Sequence, residues 1–196
     1  QTAQEMRAMN MHWTFNPNVE VARDARWGRV GETYGEDPYL VTLMGVQSVK
    51  GYQGNLNGKE DPYLVTLMGV QSVKGYQGNL NGKEDVLACI KHFVGGSEPL
   101  NGTNGAPADL SERTLREVFF PPFKAGVEAG AMSLMTAHNE LNGVPCHTNE
   151  WLMEDVLRKE WKFPGFVVSD WMDIEHTHDL HATAENIKEA FYQSIM

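Results

Sequence analysis

Short apolar runs bounded by turn residues alternate along this chain with longer stretches whose apolar positions recur every three to four residues. The runs predict strands: an extended segment from Thr14 to Ala22, then Val86 to Phe93, Met132 to Ala137, and Phe166 to Val168. The last follows the turn signal Pro164-Gly165 and reads as a short buried strand. Between them, Asp37 and Pro38 predict a helix start, with Leu40, Leu43, Met44 and Val46 along one side. Asp109, with Glu112 three residues on, predicts a capping box and a helix to about Gly130 despite Pro121-Pro122. Further helices are expected from Asn149 to Trp161 and from about Thr183 onward. Strand alternating with helix in this way predicts an α/β fold with a parallel sheet, open or closed into a barrel.

One stretch interrupts the alternation. The 24 residues from Glu36 to Lys59 are repeated letter for letter from Glu60 to Lys83. Solenoid repeats diverge and need about three or more copies to be stable. Two identical copies point to a recent tandem duplication or an error in the sequence, and one copy is surplus to a packed layer. With one copy set aside, the chain falls well short of the roughly 250 residues of an eight-stranded barrel.

Composition narrows the class. At 196 residues, 41% apolar and 21% charged, the chain can bury a sizeable core. A net charge of -10 disfavours a nucleic-acid partner, which would require clustered Lys and Arg. No apolar run approaches the roughly 20 residues of a membrane span. Cys89 and Cys146, one in a predicted strand and one in a turn, read as free thiols. No opening segment resembles a signal peptide.

Chemistry is expected beyond the C-terminal ends of the strands, the side on which parallel α/β architectures build their sites. Asp170 closes an apolar run with Trp171 beside it, and a core strand has no packing reason to end on a carboxylate. Lys91 and His92 close another strand and His138-Asn139 a third; Arg29 sits between Gly28 and Gly31 in a loop leaving the first extended segment. These groups suit a sugar site: a guanidinium fork meets neighbouring hydroxyls, and Trp27 or Trp171 could stack on the apolar face of a pyranose. Surface ion pairing is the plainer reading for Arg23, and a lysine salt bridge with a satisfied core histidine for Lys91-His92. The run from Glu175 to His181 holds three histidines and two acids but matches no zinc signature, and Asp179 could equally cap a helix. No metal or other cofactor is expected.

Five ordered motifs then carry a resemblance: RDARWGRVGETYGEDPYL (Arg23 to Leu40), KHFVGG (Lys91 to Gly96), DLSERTLREVFFPPF (Asp109 to Phe123), LNGVPCHTN (Leu141 to Asn149) and GFVVSDW (Gly165 to Trp171). Together they resemble glycoside hydrolase family three, whose members similar to this chain are mostly β-glucosidases, with β-xylosidases close by. The resemblance implies a partial (β/α)8 TIM-like barrel, incomplete at both ends. It also implies a retaining exo-acting mechanism on terminal non-reducing β-D-glucosyl residues of a β-glucoside or oligosaccharide. Asp170 would be the nucleophile, and Arg29, Lys91 and His92 would bind hydroxyls of the sugar that Trp171 lies against. His138 stands where many members place a tyrosine. The general acid would be a glutamate on a second, α/β sandwich domain beyond Met196, so the isolated chain is expected to be inactive. The same resemblance implies a periplasmic or secreted location. Rival readings are a non-catalytic sugar-binding or scaffold relative, and a metal-dependent hydrolase built on His176 to His181.

Overall fold

The computed structural model describes residues 2–41, 43–44, 86–128 and 131–195. The second copy of the repeat, and which copy is surplus, lie outside these residues. The chain enters through helix α1 (Thr2–Ala8) and strand β1 (Trp13–Thr14), and continues through β2 (Leu87–Phe93), β3 (Ser133–Thr136) and β6 (Phe166–Val168). These four strands form one parallel sheet in the order β1-β2-β3-β6, with Trp13 beside Leu87, Cys89 beside Ser133, and Ser133 beside Phe166. The register of β2 on β3 shifts between Ile90 and Phe93. The fold is α/β, and the four described strands are a parallel arc of a TIM-like barrel.

Helices cover the sheet as the apolar period requires. Glu112–Thr114 opens a helix that widens to π winding over Leu115–Phe119 and returns to α winding in α2 (Phe120–Glu128). Pro121 and Pro122 lie in the first turn of that returning helix. The start of the whole helix differs from expectation: Ser111, not Asp109, caps it, accepting from the Thr114 N–H at 3.1 Å. Leu110 is buried and locked outside the helix by two hydrogen bonds with Asn142, which leaves Asp109 two residues too early to cap. The second expected helix, π-wound over Trp151–Glu160, is capped by Asn149, whose Oδ1 accepts from the Leu152 N–H at 3.2 Å.

Phe93 from β2 meets Phe120, Phe123 and Trp161 at ring-centroid distances of 5.8, 5.2 and 5.5 Å, joining the sheet to both helices. Leu115, Leu134, Leu152 and Leu157 complete the packing around them. Each such side chain contributes roughly 1.5–3 kcal/mol through burial. Gly165 permits the close approach of β6 to β3, since a Cβ there would meet the Met132 carbonyl oxygen at 2.3 Å.

Three further expectations are corrected. β6 is not a buried strand: it is the outermost strand of the described sheet, and Phe166 is 47% exposed. In the helix capped by Asp37, Val41 is buried while Leu40 and Met44 are exposed. The run Leu40, Val41, Leu43, Met44 is apolar on nearly every side, so its period could not select the buried face; Val46 lies outside the described residues. The final helix, α4 (Ile187–Ile195), begins after Asn186, which caps it through the Glu189 N–H. Thr183 instead donates to Thr177 and closes an unpredicted helix, α3 (Asp173–Asp179). Between β3 and the π-helix, β4 (Glu140–Leu141) and β5 (Val144–Pro145) form a hairpin around Asn142-Gly143, both at positive φ.

Candidate functional site

The segment after β1 runs beside β2, with Asn18 paired to Lys91 and the Val19 N–H donating to the Lys91 carbonyl at 3.1 Å. This pairing places Glu20 against His92. Both side chains are 3% exposed, and His92 Nδ1 lies 2.7 Å from Glu20 Oε2. One residue past Glu20, the Val21 carbonyl accepts from Ser97 Oγ at 2.6 Å, and the Arg23 and Asp24 N–H groups donate to the Ser97 carbonyl. The chain is thereby held at the rim, where Asp24 caps the turn Ala25–Trp27 and Gly28, at φ 85°, releases it toward Arg29.

Arg29 brings its fork inward but does not present it empty. Nε and Nη2 donate to the two carboxylate oxygens of Glu32 at 2.9 and 2.8 Å, and Nη2 lies 3.2 Å from His92 Nε2. A guanidinium only donates, so this contact makes Nε2 the acceptor and assigns the ring proton to Nδ1, facing Glu20. The Glu32 hydrogen bonds raise the pKa of Arg29 and lower that of Glu32.

Asp170 lies two residues beyond β6. Its Oδ1 accepts the Trp171 backbone N–H at 2.7 Å. Its Oδ2 is buried between two imidazoles, with His138 Nε2 at 3.1 Å and His92 Nε2 at 3.5 Å, neither in hydrogen-bonding alignment. His138 lies two residues beyond β3, and its Nδ1 is 2.6 Å from Asp173 Oδ1. The Asp173 hydrogen bond raises the pKa of His138. Burial and the Arg29 charge oppose the shift, while the charges of Asp173 and Asp170 add to it.

Of the sequence-predicted site residues, Arg29, His92, His138 and Asp170 therefore converge. Lys91 is half-buried, and among the described residues its ammonium has no hydrogen-bond or ion-pair partner. Trp171 projects outward, 77% exposed. Trp27 is 2% exposed with its indole N–H donating to Asn104 Oδ1, so it cannot be a stacking platform; Trp171 remains available. Arg23 makes the expected exposed ion pair, with Glu98 at 3.8 Å. Cys89 and Cys146 are buried and free.

Three site acids escaped the sequence reading. Glu20 carried a usable signal, a carboxylate between Val19 and Val21 in an apolar stretch. Glu32 carried a weaker one, its i,i+3 spacing from Arg29. Asp173 carried none that separates it from any acid at a helix start.

The histidine-rich run disperses. His178 Nδ1 lies 3.0 Å from the Ala184 carbonyl and His181 Nδ1 lies 2.8 Å from Glu140, while Asp179 ends α3 rather than capping a helix start. Donor atoms of His138, Asp173 and His176 do lie within 4.8 Å of one another. The 2.6 Å separation of His138 from Asp173 is a hydrogen-bond length, shorter than the roughly 3.3 Å edge between two tetrahedral zinc ligands, so this trio is closed as it stands. No helix among the described residues is long and apolar enough to cross a membrane.

Comparison with known proteins places this geometry in context. The family model described as the glycosyl hydrolase family 3 N terminal domain matches residues 1–193. A β-xylosidase of Formosa agariphila is 46% identical over 192 residues, 97% of this chain and 24% of that protein. A periplasmic β-glucosidase of Salmonella typhimurium is 36% identical over 182 residues, 93% of this chain and 20% of that protein. The crystal structure of a β-glucosidase from Listeria innocua superposes with a TM-score of 0.81 at 35% identity, covering 98% of this chain and 24% of that one. The chain thus spans about a quarter of the length of these relatives.

Proposed function

Since the chain belongs to the N-terminal domain family of the family 3 glycosyl hydrolases, we propose that it carries the sugar-holding side and the nucleophile of a retaining exo-acting β-glycosidase. The observation that supports this reading is the setting of Asp170. Its carboxylate stands beyond the C-terminal end of a parallel strand, with His138 and His92 3.1 and 3.5 Å from Oδ2. Arg29 supplies positive charge behind His92.

In this reading the Asp170 carboxylate attacks the anomeric carbon of a terminal β-D-glucosyl residue. The bond to the leaving oxygen breaks, that oxygen takes a proton from a second carboxyl group, and a glycosyl ester of Asp170 forms. Water then hydrolyses the ester, and the second carboxyl group regains its proton. A retaining site needs the two carboxyl groups about 5 Å apart. Glu20, Glu32 and Asp173 are engaged by His92, Arg29 and His138, so none of them is free for that task. We assign the proton donor to a carboxyl group outside this cluster. The unpaired Lys91 ammonium and the unused Arg29 donors bind sugar hydroxyls, and Trp171 supplies the apolar platform. The relative named as periplasmic favours an extracytoplasmic location.

A β-xylosyl residue is the second substrate reading, favoured by the 46% identity to a β-xylosidase. Covalent trapping tests the nucleophile. A 2-fluoro glucoside, with the matching xyloside as comparison, labels Asp170 in the full-length protein, and Asp170→Gly abolishes the label. A label that survives in Asp170→Gly overturns the assignment.

A further inference from the structure

An acid in the first turn of a helix ordinarily faces solvent near the free backbone N–H groups. Asp173 occupies that position in α3 yet is only 3% exposed. One of its oxygens, Oδ1, accepts from His138 Nδ1 at 2.6 Å; the other, Oδ2, is buried without a hydrogen-bond partner. Across the same imidazole, Nε2 lies 3.1 Å from the buried Oδ2 of Asp170. Two carboxylates, both from the segment after β6, thus flank one histidine carried beyond β3.

We propose that Asp173 is a positioning residue for the glycosidase reaction, acting on Asp170 through His138. The proposal rests on the assignment of Asp170 as nucleophile. Its physical basis is a charge balance across the first chemical step. When Asp170 becomes an ester it loses its negative charge, and a protonated His138 loses one of its two counter-ions. The buried Asp173 carboxylate remains, so His138 keeps its proton and orientation while the ester forms and is hydrolysed. His138 exchanges no proton with the substrate. The off-axis contact between His138 and Asp170 suits this role, since such contacts in unliganded sites are often loose and tighten once substrate is bound.

The groups facing His138 are Asp173 and His176 from α3, Asp170 after β6, Arg29 from the rim loop, and His92 on the far side of Asp170 Oδ2. His176 also approaches Asp173 Oδ1, at 3.6 Å, and its ring centroid lies 6.5 Å from that of His138. Arg29 is the charge that works against an imidazolium here. Asp173 is the opposing charge in direct hydrogen-bond contact.

The test pairs the pH profile of kcat/KM on an aryl β-glucoside with the NMR titration of the His138 ring, both in the full-length protein. Asp173→Asn lowers kcat/KM by about tenfold, equivalent to one pKa unit of lost coupling, and moves the His138 titration to lower pH. Asp173→Glu restores the charge and returns the titration toward that of the parent; it also serves if Asp173→Asn does not fold. A folded Asp173→Asn protein with an unmoved His138 titration overturns the proposal, even if its rate falls uniformly with pH. Persistence of the fluoro-glycoside label in Asp170→Gly removes the premise instead, and the two failures are read from different experiments.

Discussion

The rim around Asp170 and a large cleft near the C-terminal helix make opposite use of histidine. Behind the rim, a recess lined by Glu20, Arg29, His92, His138 and Asn139 encloses almost no empty space. The large cleft, about 660 Å³, lies between the π-helix and α4, bordered by His147, Glu154, Arg158, Val167 and Tyr192. At the rim, each imidazole has a carboxylate within hydrogen-bond reach, Glu20 for His92 and Asp173 for His138. In the cleft wall, both ring nitrogens of His147 are buried without partners, and burial lowers its pKa. The proposed site thus follows buried charge held by opposed charge rather than volume, because such an arrangement costs folding energy that an ordinary core would avoid.

The largest effect expected from this contrast is at Glu20. Glu20→Ala leaves the buried His92 ring N–H without its acceptor and costs about 1–3 kcal/mol, the range for leaving one buried hydrogen-bonding group unsatisfied. Urea unfolding monitored by tryptophan fluorescence measures it. A loss below about 1 kcal/mol would show that Glu20 is not the group that holds His92.

A smaller effect separates the two regions by the sign of their pH dependence. The folded pKa of His138 is raised, so its stabilisation is fully present below the unfolded value of about 6.5 and is lost as pH rises through the folded value. His147 is the reverse: its folded pKa is lowered, so it withdraws stability as pH falls below about 6.5. His138→Gln is therefore expected to destabilise most at acidic pH, with the gap to the parent narrowing as pH rises. Unfolding midpoints across the pH range check it, and a gap that widens as pH rises breaks the comparison.

The smallest effect belongs to His147→Leu. Replacing an unpartnered ring by an apolar side chain should change stability by no more than about 1 kcal/mol near neutral pH and relieve the acid-side loss. Substrate turnover should be unchanged. A large loss of turnover would move the functional site toward the cleft.

Much of the fold was legible because strand and helix periods are local. Phe166 to Val168, Val86 to Phe93 and Met132 to Ala137 were visible as apolar runs, and the Asp37 cap as a polar residue at the correct offset. The start of the Ser111 helix was misplaced because the hydrogen bonds that hold Leu110 out of it come from Asn142, in a hairpin 32 residues away. π winding left no local signature at all. Candidate site residues were legible where chemistry contradicted packing, as at Asp170, a carboxylate closing an apolar run. Glu20 met the same criterion between Val19 and Val21. It passed unnoticed because its partner lies 72 residues on.

The sequence by itself determined the alternation of strand and helix, the inventory of reactive groups and the family to which they belong. Each of these depends on the order of residue types along the chain. Tertiary structure decided which groups meet: Arg29 with His92 across 63 residues, His138 with Asp173 across 35, and Trp27 inward where Trp171 faces out. Those meetings depend on the register of parallel strands, and that register is set by packing between segments remote in sequence, which no local pattern encodes.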